Sequence, residues 1–301
     1  MKMVKRALAA GAALSVLASG PALAAWSDVN LRVGVTELSR EIYGLHMLIL
    51  WVCVAIAVAV FGVMIYSIAT FRKSKGAVPA TFDHSTTAEI VWTVIPVIIL
   101  VAMAVPAART LVKIDDTRNS DITVKATGYQ WKWQYEYIDE GVSFFSTLAQ
   151  KSNEARQLDS GVSPFTVDNY LLDVDNPLVV PVGKKVRMLV TAADVIHNWW
   201  VPDFGMKKDA IPGFINELWF KADKVGTYRG QCAELCGRDH GFMPIVVRVV
   251  EQAEYDSWLA SQKAARQAAA APAAQTAGVT TEPAAPAATV TTTTVLVANA
   301  E

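Results

Sequence analysis

Two long stretches without Asp, Glu, Lys or Arg constrain this chain more than any other feature. They run from Ile42 to Phe71 and from Ile90 to Ala108. At about 1.5 Å rise per residue, the first can cross a hydrocarbon core about 30 Å thick, and the second lies near the lower length limit. A segment in lipid must satisfy its own backbone, so both read as helices. Pro96 and Pro106 in the second are tolerable because neighbouring groups take up the freed carbonyls. Arg72, Lys73 and Lys75 follow the first run at once, which places that end in the cytoplasm. The two runs therefore predict a hairpin, with the N-terminus and everything after Arg109 outside. A composition of 52% hydrophobic and only 18% charged residues agrees with a chain partly in lipid.

The N-terminus carries its own signal. Lys2, Lys5 and Arg6 precede an apolar run, Ala7 to Ala18, too short to span, and Ala22-Leu23-Ala24 offers small residues for cleavage. The competing reading is a short N-terminal anchor. The expected organisation is a cleaved signal over 1–24, an outer segment over 25–41, a first span over 42–71 and an inner loop over 72–89. A second span over 90–108 and an outer domain over 109–262 follow, with a low-complexity tail over 263–301.

Downstream of Arg109 the texture changes. Ile122 to Ala126 and Lys185 to Val190 alternate apolar with polar residues, and Glu217 to Phe220 and Pro244 to Val250 read as further strands. Turn signals such as Pro181-Val182-Gly183 and Lys224-Val225-Gly226 separate them, which suggests an antiparallel sandwich or barrel. Gly141 to Phe165 lacks periodicity and reads as an inserted loop. Glu251 to Gln267 reads as a terminal helix with Tyr255, Trp258 and Leu259 on one side. The Ala/Thr/Pro/Val tail has too few large apolar groups to build a core and is expected to be disordered. The overall expectation is an α+β membrane protein, a transmembrane helical hairpin followed by a β-domain.

Chemistry concentrates in Cys232-Ala-Glu234-Leu-Cys236-Gly-Arg-Asp-His240-Gly-Phe-Met243, with His197 upstream near a strand end. Soft sulfur with imidazole suits a copper electron-transfer site. Two thiolates can bridge two coppers, each then receiving one histidine and one weak outer ligand. Spacing alone leaves two other readings open: a Cys232–Cys236 disulfide in an oxidising compartment, and one zinc held with His197 and His240. Met243 favours copper, because zinc has no use for a thioether. Cys53 lies in the first span and reads as a small apolar filler. No Cys-x-x-Cys-His is present, so no attached c-type haem is expected.

These residues resemble subunit II of the haem–copper cytochrome c oxidases. The resemblance covers roughly Thr36 to Leu259. It rests on the Cys232–Met243 loop, Asp194-Val-Ile-His197-Asn-Trp-Trp-Val-Pro, Lys208-Asp209-Ala-Ile-Pro212-Gly and Gly128-Tyr-Gln-Trp131-Lys-Trp133-Gln-Tyr135-Glu136-Tyr. It implies a cupredoxin-like antiparallel β-barrel that holds a dinuclear copper centre through His197, Cys232, Cys236, His240 and Met243, with the Glu234 carbonyl as a further ligand. It implies that the Glu234 side chain reaches a magnesium ion shared with subunit I, and that Trp131 is the exposed ring where an electron from cytochrome c enters. Glu89 would stand at the mouth of a proton channel continuing in subunit I. Thr86-Thr87-Ala88-Glu89 is also a capping box in its own right. Glu136, Asp139 and Asp194 match docking positions for cytochrome c. Subunits I and III are the implied partners, the bacterial inner membrane with a periplasmic domain the implied location, and no nucleic-acid partner is expected.

Charge supplies an independent check. Between Asp115 and Gln262 there are 21 Asp and Glu against 15 Lys and Arg, a net of −6. An acidic face steers a basic partner in a salt-dependent way. Three rivals stand beside this reading. A quinol oxidase subunit would share the fold but lack the copper ligands. A membrane-anchored copper carrier would not need the Trp131 segment or Glu89. Nitrous oxide reductase uses the same centre but carries a large extra domain.

Overall fold

The computed structural model describes residues 29–270. The expected signal sequence and most of the expected tail lie outside these residues.

Helix α1 spans Glu37–Thr70 and helix α2 spans Thr86–Ile114, each enclosing one uncharged run. Both are long and apolar enough to cross a membrane. Almost none of their surface is covered by the rest of the chain; in α1 only Leu38 and Ser39 are buried, and in α2 no residue is. Apolar helices left this bare need lipid or partner helices around them. The start of α1 is fixed by a capping box. Thr36 Oγ1 accepts from the Ser39 amide at 2.9 Å, and Ser39 Oγ accepts from the Thr36 amide at 3.0 Å. At α2 the cap sits one residue upstream of the expected box. Ser85 is the N-cap and Ala88 donates to its hydroxyl, while Glu89 lies exposed in the first turn.

Strands β1 (Ile122–Tyr129), β2 (Lys132–Tyr137), β3 (Val142–Ser146), β5 (Val186–Ala192) and β8 (Asn216–Phe220) form one sheet, ordered β3-β2-β1-β5-β8. Strands β4 (Leu178–Pro181), β6 (His197–Val201), β7 (Met206–Ala210), β9 (Gly226–Cys232) and β10 (Pro244–Val250) form the other, ordered β4-β10-β9-β6-β7. Most pairings are antiparallel, as expected of the barrel. The exceptions are β1 with β5 and β10 with β4, which run parallel. Two mixed sheets packed face to face are the outcome.

Alternation explains which face is inside. Along β5, Val186, Met188, Val190 and Ala192 are buried while the residues between them are only partly so. Along β2, Trp133, Tyr135 and Tyr137 point inward. The core joins them to Trp199, Phe204, Phe220 and the apolar run of β10. The expected loop over 141–165 instead contains strand β3 and, after it, a short helix, α3 (Gln150–Ala155). Helix α4 (Gln252–Ala270) packs Tyr255 and Leu259 into the core and places Trp258 against Tyr137, ring centroids 5.2 Å apart. It continues past position 263, where the tail is expected to begin, because Ala, Gln and Lys sustain a helix without tertiary help.

The sandwich is tied to the outer end of the hairpin. Val35 donates to the Asp203 carbonyl at 2.9 Å and accepts from Asp223 at 3.0 Å. Trp219 Nε1 donates to the Lys113 carbonyl at 3.2 Å, and Lys113 Nζ reaches Glu37 at 2.6 Å.

Candidate metal centre

The candidate ligands come from three places at one end of the sandwich. His197 opens β6, Cys232 closes β9, and Cys236, His240 and Met243 lie on the loop that returns into β10. β6 and β9 are neighbours, and Trp199 pairs with Cys232, so residues 35 apart in sequence meet. Within the loop, His240 starts a short 3-10 turn, with the His240 amide bonded to the Gly237 carbonyl at 3.2 Å and Phe242 to Asp239 at 2.9 Å.

The geometry divides into two halves. Cys232 Sγ lies 3.9 Å from His197 Nδ1 and donates to the Glu234 carbonyl at 3.3 Å. Cys236 Sγ lies 3.5 Å from His240 Nδ1 and 3.5 Å from Met243 Sδ. Each sulfur thus faces one imidazole nitrogen and one weaker donor. The sulfurs are 3.9 Å apart, well beyond the roughly 2 Å of a disulfide, and both cysteines are free. His197, Cys232, Cys236 and Met243 are buried, His240 is half-buried, and the Glu234 side chain is exposed while its carbonyl points inward. Soft, buried donors gathered this tightly fit a thiophilic metal. The chain carries a candidate Cys/His metal site.

Titration is shaped by the same neighbours. Burial pushes the Cys232 thiol up, but hydrogen bonds from His197, the backbone and Cys236 outweigh it and leave it below its usual range. Burial, followed by the charge of Cys232, pushes the Cys236 thiol up to about 12. Cys232 therefore gives up its proton more easily than Cys236. Burial lowers the pKa of His197, yet contact with Cys232 and Asp194 raises it overall.

Two residues outside the expected ligand set hold these donors in place. Asp194 Oδ1 binds His197 Nε2 at 2.9 Å, leaving Nδ1 turned toward the sulfur, and Asp194 Oδ2 accepts from the Gln130 amide at 2.7 Å. The Gln130 side chain donates to the Cys236 carbonyl at 2.8 Å, beside the Trp131 indole N–H at 3.2 Å. Trp131 is half-buried and in direct contact with the metal loop. Gln130 is the residue that sequence reading missed. Its only signal is its place at the turn between β1 and β2, inside the aromatic run.

The expected docking acids fare differently. Asp194 is turned onto His197. Glu136 pairs across the strands with Lys125 at 2.8 Å. Asp139 is exposed at the β2–β3 turn. The first two are thus committed to internal partners, which alternation and charge count do not reveal. Glu89 lies at the far end of α2 from this centre, and Cys53 is exposed along α1.

Comparison with known proteins gives a consistent picture. The family description "Cytochrome C oxidase subunit II, periplasmic domain" matches residues 122–250, and "Cytochrome C oxidase subunit II, transmembrane domain" matches 24–109. Cytochrome c oxidase subunit 2 of Cereibacter sphaeroides is 41% identical over 234 residues, covering 74% of this chain and 77% of that protein. A probable cytochrome c oxidase subunit 2 of Rickettsia bellii is 42% identical over 228 residues, covering 75% and 81%. Among solved structures, the periplasmic domain of subunit II of cytochrome oxidase of Bradyrhizobium japonicum is 49% identical, covering 50% of this chain and 98% of that one, with a TM-score of 0.42.

Proposed function

This chain belongs to the cytochrome c oxidase subunit II family, a membrane component of that oxidase with a periplasmic domain, and from that premise we propose that it is the electron-entry subunit. In this reading it takes electrons from cytochrome c at a dinuclear copper centre and hands them to haem in subunit I, where oxygen is reduced and protons are pumped. One observation carries the proposal: each of two neighbouring thiols faces its own imidazole and its own weak donor. A single tetrahedral zinc would use the two thiols and two imidazoles but would leave the Glu234 carbonyl and Met243 sulfur without a role. Copper supplies reversible one-electron chemistry when bound.

The chain's own residues then divide the work. Cys232, Cys236, His197 and His240 would hold the copper, with the Glu234 carbonyl and Met243 as the weaker donors. Asp194 orients His197. Trp131 is the entry point, supported by its indole contact to the Cys236 carbonyl, which offers a short covalent and hydrogen-bonded route to the Cys236 sulfur. His240, half-buried, is the exit toward subunit I. The exposed Glu234 carboxylate is the group for a magnesium ion shared with subunit I, and the exposed Glu89 for the mouth of a proton channel there. Subunits I and III cover the bare hairpin in a bacterial inner membrane. Donor steering falls to the acidic domain as a whole, with Asp139 more available than Glu136 or Asp194.

The test is to load the full chain in detergent micelles with copper, then record metal content and electron paramagnetic resonance. Two coppers per chain with the unpaired electron shared equally over both nuclei is the expected result. One zinc or one copper in a mononuclear signal would overturn it.

A further inference from the structure

The insertion between β3 and β4 meets the metal loop through Arg156. Arg156, just past α3, reaches Asp239 Oδ2 at 3.4 Å and lies 4.4 Å from the Phe242 ring centroid. Asp239 immediately precedes His240, and Phe242 immediately precedes Met243. One guanidinium therefore grips the residue before each of two donors. The contacts are sheltered: the Asp239 side chain is 14% exposed and that of Arg156 23%. A carboxylate this far from water is costly without a partner, and a planar guanidinium can pair and stack at once.

Arg156 is itself held. Its Nε donates to Asn153 Oδ1 at 2.7 Å and its amide to the Ser152 carbonyl at 3.1 Å, with Ser152 and Ala155 buried. The two ends of the insertion are pinned to each other where Ala149 donates to the Asp173 carbonyl at 2.9 Å and Asp175 accepts from Thr147. Between these anchors and the metal loop lies a cavity of about 160 Å³ lined by Trp131, Asn153, Arg156, Asp239 and Phe242. The loop is not close-packed against α3 across this gap; the guanidinium bridges it. Asp239 has a second cation, Arg238 at 3.4 Å, but that side chain is 83% exposed, where an ion pair contributes little.

We propose that Arg156 is a positioning residue for the metal loop, holding His240 and Met243 in register through Asp239 and Phe242 without touching the metal. This rests on reading Cys232 to Met243 as the metal-binding loop. The insertion then acts as a strap across the centre, and rearrangement of half the ligand set requires the clamp to open.

The experiment compares Arg156→Ala, Arg156→Lys and Arg238→Ala in the full chain in detergent micelles. In the metal-free chain, amide hydrogen exchange over 237–243 should quicken about tenfold in Arg156→Ala, the scale of one lost charge-assisted hydrogen bond. Arg238→Ala should stay within about twofold of the parent chain. Arg156→Lys should fall between, because it restores the charge and not the stack. After copper loading, Arg156→Ala should shift the copper spectrum and reduction potential and weaken copper retention about tenfold. Unchanged exchange in Arg156→Ala overturns the clamp. Faster exchange with an unchanged copper spectrum and potential overturns the positioning role and leaves only a structural contact. A parent chain that takes up no copper sinks the proposed function, while the exchange arm still judges the clamp.

Discussion

At the scale of single residues, the centre depends on one position having no side chain. A Cβ at Gly128 would lie 2.7 Å from His197 Cδ2, against a ring that is fully buried and flanked by Trp133, ring centroids 6.0 Å apart. The ring has nowhere to go. Gly128→Ala is expected to lower copper affinity about tenfold or more, read by competition with a copper chelator, while far-ultraviolet circular dichroism stays unchanged. Buried phenols set a second expectation. Burial raises the pKa of Tyr135 and Tyr137 far above 10, and burial with Glu140 and Asp256 nearby pushes Tyr255 up to about 12. Folded values above unfolded ones mean that the native state keeps these protons after the unfolded chain has lost them. Their stabilisation is whole below about pH 10 and is lost as pH rises through the folded values. Stability should therefore fall steeply between about pH 10 and 12, and replacing Tyr255 with Phe should make that fall shallower in an alkaline unfolding titration. Cys232, Cys236, His240 and Met243 were all legible at this scale, since their spacing and softness carry the chemistry. Gln130 and Arg156 were not, because each acts on the loop from far away in sequence.

At the scale of elements, the junction between the first helix and the sandwich is the sensitive place. Thr36 is 1% exposed, and its hydroxyl donates to the Phe204 carbonyl at 2.9 Å while accepting from Ser39. One side chain thus caps the helix and fastens it to the domain. Gly205 closes the other side with a φ of +73°, and a Cβ there would meet the Ser39 backbone at 2.7 Å. Thr36→Ala should cost about 1–2 kcal/mol, the upper range for a cap, whereas Thr36→Ser should cost much less. Thermal unfolding in detergent micelles reads both, and equal losses in the two variants would show that the hydroxyl is not what matters. The strands were legible where one face alone is buried, as along β5. The two parallel pairings were not, because alternation reports which face is buried and is silent on which neighbour a strand takes.

At the scale of the whole molecule, the domain after the hairpin carries an excess of acids, which on the proposed function would meet a soluble donor. The rate of electron transfer from a basic cytochrome c should fall as ionic strength rises from about 0.01 to 0.15 M and the screening length shrinks from about 30 to 8 Å. Stopped-flow kinetics over that range checks it, and a rate indifferent to salt would remove steering from the account. Asp139→Asn should weaken the salt dependence, since Asp139 is exposed at the β2–β3 turn. By itself the sequence determined the hairpin, the strand-rich outer domain and the chemical nature of the ligand loop, because periodicity, charge-free length and donor softness are local properties. Only the tertiary structure decided that His197 meets Cys232 across β6 and β9, that Asp194 and Glu136 are turned to internal partners, and that Arg156 straps the loop. Those contacts join residues distant along the chain, and which distant groups meet is set by how the sheets pair and pack, a property of the whole fold and of no single segment.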